Sequence, residues 1–124
     1  MPNRALILFA HGARAESWKA PFERLRDMTQ ARMPGMPVSL AFLELMEPRL
    51  PAQVAALAGQ GVDDITVVPV FLGQGGHLLR DLPLLMDELR AAYPGVAMKV
   101  AGAVGEAPDV LKAMTDYCVS VAKY

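Results

Sequence analysis

The chain has two histidines, His11 and His77, and both stand in the same kind of place. His11 directly follows the apolar run LILFA and precedes Gly12. His77 follows VVPVF across the glycine-rich stretch LGQGG. Neutral imidazole is a good ligand for divalent transition metals. Glu44, in FLELMEP, adds a candidate carboxylate, whereas Glu47 is better explained as an exposed loop or cap residue. A closed structural zinc cage needs four ligands, and two histidines with a single cysteine do not supply one. Any metal site here stays open, as suits a protein that must let its metal go.

Other residues near the histidines point to an anionic or flat ligand. Gly73, Gly75 and Gly76 permit a close approach of main chain, and their amides near a helix start suit carboxylate or phosphate. Arg14 and Arg80 each lie three residues beyond a histidine, where guanidinium groups match carboxylates, with surface solvation as the competing account. Asp81 reads as the N-cap of a helix, with orientation of the His77 imidazole as its alternative role. The glycine spacing is not that of a dinucleotide fingerprint, and no phosphate-loop Gly-Lys-Ser/Thr occurs.

Placing these residues requires the elements around them. ALILFA, VSLAFLEL (38–45), ITVVPVF and VAMKVAG are short apolar runs that read as strands. Between them lie helical patterns. The first runs from about Ser17, its expected N-cap, to Arg32, with Trp18, Phe22, Leu25 and Met28 on one face. The second opens at Pro48 and carries Leu50, Val54 and Leu57. The third starts near Asp81, which keeps Pro83 in its first turn, and buries Leu82, Leu85, Met86 and Leu89. The last begins at Pro108, with Val110, Leu111, Met114, Cys118 and Val121 turned inward.

Alternation of this kind predicts an α/β three-layer sandwich, flavodoxin-like, with a four-stranded parallel sheet in the order 2-1-3-4. In that order strands one and three are neighbours whose chains depart to opposite faces. Their carboxyl ends form the switch point where open parallel sheets bind ligands, so His11 and His77 are expected to converge on one crevice.

Composition sets bounds on this reading. The 124 residues fit one domain, 53% hydrophobic and 20% charged, which excludes a disordered or fibrous chain. A formal net charge of −1 gives no global pull toward nucleic acid or anionic membrane. No apolar run approaches a membrane span, and the lone Cys118 suits a reducing cytoplasm, where it is expected to be a small core residue.

Three segments, LFAHGARAESWKAPFERL, AFLELMEPRLP and VVPVFLGQGGHLLRDLP, resemble the small single-domain sirohydrochlorin cobaltochelatases, relatives of the class II ferrochelatases. The resemblance covers nearly the whole chain, weakening after about Met98, and Ala13 stands where the family usually has serine. It implies insertion of a divalent metal, cobalt first and iron or nickel as well, into sirohydrochlorin or a related reduced tetrapyrrole, without a nucleotide. His11 and His77 occupy the family's metal-binding positions, and Glu44 its acidic one. Larger members carry two fused copies of the domain, which implies a homodimer here. Two rivals belong to other classes. A metal or tetrapyrrole carrier would use the same histidines without turnover. A histidine phosphatase would need an arginine just before the first histidine, where Ala10 stands.

Overall fold

The computed structural model describes residues 3–73 and 75–123, apart from the side chains at positions 76, 77 and 79. Four strands and four helices alternate. They are β1 (Arg4–Ala10), α1 (Ala20–Arg32), β2 (Val38–Phe42), α2 (Leu50–Gly59), β3 (Asp64–Pro69), α3 (Gly76–Ala92), β4 (Ala97–Val100) and α4 (Pro108–Ala122). All strand pairs are parallel and the sheet order is β2-β1-β3-β4, as the sequence predicts. Leu8 is the hub of the register, opposite Leu40 on one side and Val68 on the other.

Strands buried on both faces need apolar residues at every position, and β1 has them from Ala5 to Ala10. Ala5, Ile7 and Phe9 face a cluster formed with Ile65, Val67 and the α2 and α3 side chains Leu50, Val54, Leu57, Met86 and Leu89. Leu8 and Ala10 face a second, smaller cluster with Leu40, Phe42 and Met46, against which Trp18 and Phe22 pack. Pro69 ends β3 opposite Phe9 of β1 and beyond the last β4 pair, Val67 with Val100, so its missing N–H costs no ladder bond there. Gln30 ties α1 to β2: its Nε2 donates to the carbonyls of Met33 and Met36, and its Oε1 accepts from Val38 N–H at 2.9 Å.

Several boundaries differ from the sequence expectation. Ser17 caps no helix. It lies inside a 3-10 turn, Glu16–Lys19, and α1 starts only at Ala20 with Pro21 in its first turn. Strand β2 stops at Phe42, so Glu44 sits in the following loop. Pro48 precedes α2, which begins at Leu50 where Pro51 provides the preset helical φ. Helix α3 starts at Gly76, not near Asp81, with Gly75 as N-cap. Asp81 is therefore an interior helical residue, and Pro83 lies inside the helix. The cause is Leu78, only 2% exposed, whose burial draws one more turn into the helix.

The largest correction concerns α4. Leu111, Met114, Cys118 and Val121 are exposed, and Val110 is only half-buried. Cys118 is not a core residue. The helix leaves the body with the short 3-10 turn Val104–Glu106 as its principal contact. No described helix is long and apolar enough to cross a membrane.

Candidate functional site

The carboxyl ends of β1 and β3 place His11 and the α3 N-terminus at the same edge of the sheet. His11 is exposed, one residue past β1. Its ring centroid lies 4.3 Å from that of Phe71, with the planes at 52°. Phe71 is 3% exposed and meets Phe9 edge-on at 5.8 Å, so the imidazole rests on a wall anchored in the core. Aromatic packing of this kind restricts the ring to few orientations while leaving its nitrogens accessible.

The β1–β2 ladder continues past the end of β2. Leu43 N–H donates to the Ala10 carbonyl at 2.9 Å, and Glu44 N–H donates to the His11 carbonyl at 3.1 Å. Gly12 makes this clasp possible. Its φ is +93°, and a Cβ there would collide with the Glu44 carbonyl. Glycine alone tolerates both conditions. Glu44 is exposed, and its main chain is tied to that of His11 at this edge.

His77 is the second residue of α3, whereas the sequence reading puts it in a loop; its side chain lies outside the described residues. The first turn of α3 presents backbone N–H groups without intrahelical partners, next to the end of β3. Gly73 and Gly75 have negative φ and open space where a Cβ would be, so neither is glycine for the needs of the described fold. Arg14 is exposed and has no ion-pair partner among the described residues. Arg80 and Asp81 lie along α3 beyond the first turn.

Sequence reasoning missed three side chains at this edge. Phe71 was given no role, though PVFLG places an aromatic just ahead of the glycines. Leu45 is 51% exposed with φ of +68°, and Leu72 is 65% exposed. They follow Glu44 and Phe71 respectively, so exposed apolar surface borders the exposed imidazole. A surface depression of about 750 Å³ lies at the other end of the strands, among residues such as Asn3, Arg4, Arg32 and Val62. His11 itself lies on an exposed rim at the carboxyl end of the strands.

The parallel 2-1-3-4 sheet flanked by four helices is the architecture of an α/β chelatase fold. Residues 5–119 match the CbiX family model, and the chain belongs to the CbiX family. The CbiX protein of Marinobacter aquaeolei is 34% identical, with a TM-score of 0.85 over 97% of this chain and 98% of its own. The sirohydrochlorin cobaltochelatase of Methanopyrus kandleri is 35% identical over 82 residues, 66% of this chain and 57% of that protein. SirB of Bacillus subtilis, solved with Fe3+, is 28% identical with a TM-score of 0.75, and this chain spans 44% of it.

Proposed function

We propose that the chain inserts a divalent metal into sirohydrochlorin or a closely related reduced tetrapyrrole, working as a homodimer and without a nucleotide. The observation that carries this reading is the clasp at the sheet edge, where the Gly12 turn holds Glu44 beside an exposed, Phe71-backed His11. Cobalt is the first choice of metal, in line with the cobaltochelatase relative, and the iron-bound SirB makes iron the second. Nickel is the third, since imidazole and carboxylate ligands accept all three.

In this reading His11 and His77 take the incoming metal at one face of the ring. Insertion releases two protons from the pyrrole nitrogens as the metal–nitrogen bonds form. Glu44, at the same rim, accepts one, and a histidine freed as the metal passes on accepts the other. Arg14, Arg80 and the amides of Gly75 and Gly76 meet the acidic substituents of the macrocycle. Leu45 and Leu72 lie against its apolar face, and the open rim admits a ring broader than one domain can enclose. Holding metal and macrocycle in register supplies a large part of the acceleration.

The deciding experiment is anaerobic insertion into sirohydrochlorin followed by absorbance, with cobalt, iron and nickel in parallel. The reading expects acceleration over the protein-free reaction that disappears in the His11→Ala/His77→Ala variant. Tight binding of metal or macrocycle with no acceleration would make the chain a carrier instead.

A further inference from the structure

The carboxyl end of β2 carries two cations, Lys19 and Arg49, that metal insertion as derived above does not use. Lys19 closes the 3-10 turn Glu16–Lys19, and its ammonium stands 5.5 Å from the centre of the Phe42 ring. The stem of this lysine is held. Its side chain is only 24% exposed, and Trp18 beside it packs on Phe22 at 4.4 Å and on Phe42 at 6.4 Å between ring centroids. Phe42 is itself fully buried at the last position of β2. A lysine seated in this way keeps its charge near one point instead of sweeping through solvent. Its acid, however, is poorly placed. Glu16 reaches it only at 4.0 Å, and the Glu16 side chain is 84% exposed. Pairs of this kind contribute little and give way to a better-placed carboxylate.

Arg49 arrives at the same residue by another route. The Phe42 N–H donates to the Pro48 carbonyl at 2.9 Å, and Phe42 forms an isolated parallel bridge with Arg49. The loop 43–48 therefore leaves Phe42 and returns beside it before α2 begins. Glu47 is turned to the main chain, where its Oε2 accepts the Arg49 N–H at 3.3 Å. Arg49 is exposed, and its guanidinium has no ion-pair partner among the described residues. A planar cation with two parallel donors matches a carboxylate.

Both cations lie one strand over from the strand that ends at His11. Phe42 is opposite Ala10 in the register, about 4.8 Å away across the ladder, and His11 is the next residue. Helix α3 begins on the other flank, because β1 separates β2 from β3. We propose that Lys19 and Arg49 form a carboxylate clamp on the β2 side of the site, which takes acidic substituents of the macrocycle and makes an acid-bearing ring the preferred substrate. Lys19 exchanges Glu16 for one incoming carboxylate, and Arg49 takes another through two parallel N–H donors. Both residues bind the ring and take no part in proton transfer. This inference deepens the proposed function and rests on its choice of an acidic tetrapyrrole as substrate.

The test uses Lys19→Met, which keeps the stem against Phe42, Arg49→Gln and the double variant, each checked for a wild-type melting temperature. Binding of metal-free sirohydrochlorin is followed by fluorescence, and insertion by absorbance. Each single variant should raise Kd and KM for the ring about tenfold, the size of one charge-assisted hydrogen bond. The maximal rate and the KM for cobalt should stay within about twofold, because the clamp holds ground state and transition state alike. Added salt should weaken the wild type more steeply than the double variant, since it screens charge pairs. The fully esterified ring should bind wild type and variants equally, and Lys19→Arg should keep most of the wild-type affinity. An unchanged Kd for the acid form, or an equal loss with the ester, would overturn the clamp and leave insertion in place. A lost maximal rate with affinity intact would overturn it too. A wild type that binds the ring through these residues but never speeds insertion would keep the clamp and remove the insertion reading. A wild type that binds no ring would remove both.

Discussion

The imidazole of His11 rests 4.3 Å from the ring of Phe71, and Phe71 is in turn held edge-on by Phe9 in the core. An exposed imidazole is thereby oriented by a buried ring. Phe71→Leu keeps apolar bulk but removes the flat wall. We expect a fold stable to within about 1.5 kcal/mol of wild type and metal insertion slowed several-fold with a higher KM for metal. Thermal melts read beside metal-dependence curves check it, and unchanged kinetics would show that the contact has no role in orienting His11.

His11 itself is exposed, so its removal costs the fold little. His11→Ala should change stability by less than about 0.5 kcal/mol and lower insertion by at least about 100-fold. A variant that unfolds easily would instead reveal a structural histidine.

Gly12→Ala should behave in the opposite way. The new methyl group meets the Glu44 carbonyl, and the φ of +93° is strained for alanine. Strain of this kind costs about 1–3 kcal/mol, so both the melting temperature and activity should fall. Gly75→Ala, with open space around it, should leave the melting temperature unchanged and raise only the KM for the macrocycle.

Glu44→Gln separates proton transfer from metal binding. The exposed carboxylate becomes an amide of the same shape, so cobalt affinity measured by titration should change little. The maximal rate should drop by about 100-fold if this group takes a pyrrole proton. A lost cobalt affinity would make Glu44 a metal ligand.

Leu45→Asp and Leu72→Asp place charge on the apolar rim. Losing one leucine contact with the ring is worth about 1.5 kcal/mol, roughly tenfold in affinity. Fluorescence titration with metal-free sirohydrochlorin checks this, and the melting temperature should hold because both positions are exposed.

The sequence by itself determined the strand runs, the 2-1-3-4 sheet and the histidine edge, because burial on both faces demands unbroken apolar stretches and parallel crossovers have one hand. It also carried the family resemblance, in the segments around His11, Glu44 and His77. It could not place the start of α3, since Gly75, Gly76 and Pro83 are locally poor helix formers, and only the burial of Leu78 outweighs them. The missed clue was that Leu78 extends the stripe of Leu82, Leu85, Met86 and Leu89 by one turn. The clasp of Gly12 on Glu44 and the Phe71 wall behind His11 join residues more than thirty apart, so they exist only once β1 lies between β2 and β3. For α4 the apolar stripe was legible, but a stripe states only that something covers it. Tertiary structure decided that the chain's own sheet does not, since the helix is exposed from Leu111 to Ala122.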